Sequence, residues 1–214
     1  MYMSYACLEV RKHILEIFRE TLELEPDGVG FLFNRGMPMI LWEDAFCERF
    51  QKIYNADARK IAEDDHRILA MRATIMTEFM QEIRKLLDET AGQQGRTTRY
   101  KISLGTFSKE VDDQNFGFDL PLWIQKGLVD ELGVAWFAHH TSFAQPDMAY
   151  YRKLTAGSTV GVYPFVISWK SANRKSYVKR SPLFIMLGQR VLLFGIPVLK
   201  SAGPSRNTET SLTS

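Results

Sequence analysis

The chain has 214 residues, 45% hydrophobic and 24% charged, with a formal net charge of +2. That balance excludes a disordered or fibrous chain and offers no strongly basic surface for nucleic acid. Cys7 and Cys47 are the only cysteines, without zinc-type spacing, so neither a disulfide framework nor a metal site is expected and no cofactor is implied. The N-terminus lacks a basic segment followed by an apolar one, so no signal peptide is expected and the chain as it stands reads as cytoplasmic.

The first element is amphipathic. In "LEVRKHILEIFRETLEL", Val10, Ile14, Ile17, Phe18 and Leu22 share one helical face. Pro26, Asp27 and Gly28 supply turn chemistry, and Val29 to Phe33 is a continuous apolar run, as in a parallel strand buried on both sides. "HRILAMRATIMTEFMQEIRKLLDETAG" reads as a long helix with Ile68, Met71, Ile75, Phe79, Ile83 and Leu86 inward and Gly92 as its C′ residue. "RYKISLGTF" is the next strand. "DLPLWIQKGLVDEL" is a helix with Pro121 near its start and Gly127 near its end. "GVAWFAHH" is a third strand, "QPDMAYYRKLTAG" a short helix, and "TVGVYPFVISW" a fourth strand.

Strand and helix alternate four times without a hairpin, which is α/β organisation: a (β/α) barrel or an open doubly wound sheet. Neither GxGxxG nor a Walker A motif is present, which disfavours nucleotide binding. In a barrel the C-terminal strand ends line the site. Those ends carry Asn34 and Arg35, Thr106, then Trp136, His139 and His140, and finally Ser168 and Trp169. Aromatic rings for apolar sugar faces, beside polar groups for hydroxyls, suit a carbohydrate ligand. Arg35 carries a charge that must find a ligand or a partner. His139 and His140 point to opposite faces of an extended strand, so one of them at most enters the site, and no chelating pair forms.

The phrases "VRKHILEIFRETLEL…DGVGFLFNRGMP", "FMQEIRKLLDE" and "FGFDLPLWIQKGLVDEL" resemble the glycoside-hydrolase-like (β/α)₈ barrels known as family-10-like glycosylhydrolases, over roughly residues 8 to 170. The resemblance implies a TIM-type barrel, a carbohydrate ligand and, if the chain is active, hydrolysis of O-glycosyl bonds. Asn34, Arg35, Trp136, His139, His140 and Trp169 are the expected sugar-binding residues. Hydrolysis ordinarily needs two carboxyl groups about 5–9.5 Å apart. The strand ends supply none, and Glu43, Asp44, Asp112 and Asp113 fall in following loops, where acids are usually solvated. No catalytic residue is therefore assigned. A complete barrel takes about 250 residues, whereas four strands are read here, so residues 1–180 are expected to form a partial barrel.

The stretch Leu183 to Leu199 is nearly all apolar. A membrane span needs about 20 apolar residues without a central Gln-Arg pair, and none is expected. A coding sequence for "YNAGAEGFAFWDT", a barrel-like ending, yields "IMLGQRVLLFGIP" when read one base later. Residues 181–214 are accordingly expected to be an irregular, out-of-frame tail with a polar end. Three functions stay open: part of a glycoside hydrolase, a non-catalytic carbohydrate-binding barrel, or an inactive gene fragment.

Overall fold

The computed structural model describes residues 4–33, 38–135 and 145–164, together with a strand at 191–194. In chain order the elements are α1 (Leu8–Leu22), β1 (Gly28–Phe31), α2 (Asp44–Tyr54), a short 3₁₀ turn (Ala58–Lys60), α3 (His66–Gln93) and β2 (Lys101–Thr106). Then come α4 (Glu110–Asn115), α5 (Leu120–Gln125), β3 (Glu131–Val134), α6 (Met148–Leu154), β4 (Gly161–Pro164) and β5 (Val191–Phe194).

All five strands are parallel, in the order β4-β3-β2-β1-β5. The first four are therefore neighbours in chain order, as the barrel reading predicts. Register places Val29, Phe31, Ile102, Leu104, Thr106, Leu132 and Val134 on one face, all buried. The apolar members of that face belong to a single hydrophobic core shared with the helices. Phe18 of α1 meets Phe31 edge-on at 5.3 Å. The opposite face carries Gly28, Gly30, Lys101, Ser103, Gly105, Glu131, Gly133, Gly161 and Tyr163. It is built of glycine and polar groups, with Lys101 Nζ 3.1 Å from Glu131 Oε1. β1 and β3 are buried along their whole length, as a strand buried on both sides requires, but only one face is apolar and the other gives up bulk. At Gly28 a Cβ would lie 2.4 Å from the Lys101 carbonyl oxygen, so no larger residue fits.

The helical periodicities describe real faces. All six apolar residues assigned to the inner stripe of α3 are buried. On α1, Phe18 and Leu22 are buried, and so is Arg11, which reaches Glu78 and Glu82 of α3, each at 3.5 Å. The end of α3 is placed differently from the sequence reading. Gly92 lies inside the helix, and the left-handed residue is Gly95 at φ +63°. The Arg96 amide there donates to Ala91 O at 2.9 Å and the Gly95 amide to Gly92 O at 3.2 Å, the bond pair of a Schellman cap. α5 starts and stops as read, with Pro121 in the first turn after the capping Asp119 and Gly127 just past its end at φ +63°, but Glu131 and Leu132, read with the helix, belong to β3.

In the tail, an irregular segment was expected, yet Val191–Phe194 is a strand. It lies beside β1 rather than β4, with Gly28 opposite Val191 and Phe31 opposite Phe194. The other residues of 181–214 lie outside the described residues. Among the described residues, no helix is long and apolar enough to cross a membrane.

Candidate functional site

Because the strands are parallel, β1 to β4 all point their C-terminal ends to one edge of the sheet. Asn34, Arg35, Trp136, His139, His140, Ser168 and Trp169 all lie outside the described residues. The structure therefore neither gathers nor separates them, and the described part of the edge is built from other side chains.

The end of β2 organises it. Thr106 is fully buried, and its carbonyl accepts from the Ala135 amide at 3.2 Å. The next residue, Phe107, donates its amide to Asp113 Oδ1 at 2.9 Å. Its carbonyl lies 3.0 Å from the Tyr151 hydroxyl, which also hydrogen-bonds Asp113 Oδ2. Asp113 sits on α4 and Tyr151 on α6, so one carboxyl joins a strand end to two helices. The Ser108 carbonyl accepts from the Asp147 amide at 2.8 Å, and Asp147 in turn caps α6 by accepting from Tyr150 N at 3.0 Å.

Of the four acids read in solvated loops, Asp112 and Asp113 are corrected, whereas Asp44 is solvated as expected. Asp112 and Asp113 belong to α4 and are buried. Asp44 opens α2 and pairs with Arg59 at 2.6 Å, and Glu43 accepts from the Leu41 amide. Burial pushes the Asp113 carboxyl up to about 8, against the opposing pull of the Phe107 amide and the Tyr151 hydroxyl. Tyr151 is raised as well, first by burial and then by Asp113. Tyr150 is raised by burial and by Glu110, to which it is hydrogen-bonded.

Beside this cluster lies a cavity of about 250 Å³ between the first turns of α3, α4 and α5. Leu69 and Ala73 of α3 line it together with the rings of Phe118 and Tyr150, and Glu110, Asp113 and Asp119 are its carboxyl groups. Among the described residues, no lysine or arginine lines it. Glu110 Oε1 accepts from Gln114 Nε2 at 3.0 Å, and Asp119 Oδ1 accepts from the Leu122 amide at 3.2 Å. Each of these two carboxylates keeps acceptor capacity beyond those bonds.

Hydropathy hides this site. On α4 the apolar Val111 is 56% exposed while the adjacent Asp112 and Asp113 face inward, the reverse of an amphipathic pattern. Tyr151 is legible only once Asp147 is recognised as the cap of α6. Among the described residues, no group of three or more histidine, cysteine or acidic side chains is arranged to hold a metal ion, and both cysteines are free. In comparison with known proteins, no family model matches the chain, and no curated protein matches it either.

Proposed function

We propose that this chain is an incomplete (β/α) barrel of glycoside-hydrolase type that binds a carbohydrate at the C-terminal edge of its sheet. The cavity beside β2 carries this reading: hydrogen-bond acceptors from Glu110 and Asp119 stand next to the rings of Phe118 and Tyr150, with no basic group among the described lining residues. Neutral sugars present that chemistry in mirror image, with hydroxyl donors around the rim of the ring and apolar C–H faces. The barrel type is supported by strand order. Four successive parallel strands add in one direction with their apolar face toward the helices, as successive strands of a (β/α) barrel do. The strand at Val191–Phe194 adds on the far side of β1, the side on which a closing strand pairs.

Binding without hydrolysis is favoured by the state of the acids. Both oxygens of Asp113 are engaged inside the fold, and Glu110 is tied to Gln114. The test is titration of the purified chain with a panel of neutral oligosaccharides, followed by calorimetry and by assay for released reducing ends. Binding without turnover is expected, weakened about tenfold or more by Glu110→Gln and by Tyr150→Ala, the loss of one charged hydrogen bond or one stacking face. Absence of binding across the panel, or binding indifferent to both substitutions, overturns the proposal.

A further inference from the structure

The Tyr151 hydroxyl faces two oxygens that ordinarily only accept. The Phe107 carbonyl is 3.0 Å away, and Asp113 Oδ2 is also hydrogen-bonded to the hydroxyl. A phenol has a single proton and can donate to one of them. Asp113 Oδ1 already accepts from the Phe107 amide at 2.9 Å. The count of protons falls one short if Asp113 is a carboxylate, and closes if it is an acid.

We propose that Asp113 is held as a neutral carboxylic acid donating from Oδ2 to Tyr151, and that its ionisation is a pH-sensitive latch between the end of β2 and α6. In the latched form the bonds run in a ring. Asp113 donates to Tyr151, Tyr151 donates to the Phe107 carbonyl, and the Phe107 amide donates to Asp113. When the proton leaves, Tyr151 turns its hydrogen to the carboxylate and the buried Phe107 carbonyl loses this donor. Phe107, Asp113 and Tyr151 are each no more than 2% exposed, so water does not readily replace it.

The surroundings favour the neutral acid. Desolvation is the largest influence on Asp113, and Asp112 and Glu110 of α4 add like charge. From α6, Tyr150 faces both Glu110 and Asp113, and the capping Asp147 stands beside it. None of these neighbours is a cation, so only the Phe107 amide and the Tyr151 hydroxyl favour the ionised form, against burial and like charge. Tyr151 is not the group that yields the proton, because burial and Asp113 hold its phenol far above its ordinary range.

Asp113 also lines the cavity with Glu110 and Tyr150, so unlatching alters the wall of the proposed carbohydrate site. That regulatory consequence rests on the carbohydrate reading, whereas the latch itself does not. Infrared difference spectroscopy on the ligand-free chain between about pH 6 and about pH 10, on either side of the value near 8, separates the two. A carboxylic-acid carbonyl band at the lower pH, lost through that range and missing in Asp113→Asn, is the expected result. Absence of such a band from the native chain at the lower pH, or its persistence in Asp113→Asn, overturns the proposal. Should that variant not fold, the titration of the native chain decides alone: a band lost through that range supports the latch.

Discussion

Arg84 Nη2 lies 2.6 Å from Asp130 Oδ2, and the same oxygen accepts from the Ile102 amide at 2.8 Å. Arg84 Nη1 donates to the Tyr100 carbonyl at 2.7 Å. One ion pair therefore fastens the middle of α3 to the N-terminal ends of β2 and β3, opposite the edge that holds the cavity. Burial pulls the Arg84 guanidinium below its usual range while Asp130 pushes it back, so the arginine depends on its partner.

Asp130→Ala leaves that guanidinium with only the longer carboxylate contact to Asp88 Oδ1 at 3.4 Å, and takes this acceptor from the Ile102 amide. The expected cost is about 3 kcal/mol of unfolding free energy, in the range for breaking a buried pair. Asp130→Asn retains an acceptor for the amide and is expected to cost less. Urea denaturation of the two variants checks the order; equal losses would mean that the amide contact is irrelevant.

Two glycines are expected to respond in opposite directions. Gly28→Ala places a methyl against the Lys101 backbone at 2.4 Å, between two strands that cannot separate without losing their ladder. It is expected to destabilise by roughly 1–3 kcal/mol, as overpacking does. Gly92 lies within α3 and has open space where a Cβ would point. Gly92→Ala is expected to stabilise by about 0.5–1 kcal/mol, the helical preference of alanine over glycine. Thermal melts of the two variants check both signs.

The Gly92 result bears on how far sequence could reach. A glycine near the end of a helical stripe reads as its terminator, but Gly95 follows three residues later, and only the backbone shows which one turns left-handed. The apolar stripe of α3 was legible because burial of its six inner residues follows a 3.6-residue period. Parallel pairing followed from alternation, whereas neighbours in chain order followed only from the barrel reading. Asp113 was not legible, because its burial depends on Phe107 and Tyr151, 6 and 38 residues away. Arg11 escaped for the same reason: its carboxylate partners sit on another helix.

Stability is expected to fall between about pH 4 and about pH 8 through Asp113. Its folded pKa of about 8 lies above the ordinary 3.8, so the folded state holds a proton that the unfolded chain has released. The contribution is complete below the ordinary value, is lost progressively as pH rises through the folded one, and is flat beyond it. Asp65 and Glu78 act with the opposite sign. Hydrogen bonds from Arg67 and from Arg49 hold them low, so their contributions are present at neutral pH and lost on acidification. Melting temperatures across that range, native against Asp113→Asn, check the assignment: the variant's profile should lack the alkaline decline. A matching decline in both would move the effect to another group.

The last expectation concerns Val191–Phe194. Its pairing with β1 is a backbone ladder in register over four residues, and β1 has β2 on its other side. Removing residues 181–214 leaves the N–H and C=O groups of that edge of β1 without this partner. An open, apolar strand edge is a template for pairing between molecules. Truncation after Arg180 is therefore expected to lower the concentration at which the chain aggregates, read by light scattering. If the ladder is what matters, Leu192→Pro reproduces the truncation, since proline removes a donor and does not fit an interior strand position. Leu192→Ile keeps the backbone and the β-propensity and should behave as the native chain does. A tail read out of frame would meet the same test, because a backbone ladder asks for extended apolar residues and not for a particular sequence. If the truncated chain and Leu192→Pro stay as monodisperse as the native one, β5 is dispensable to the edge it covers.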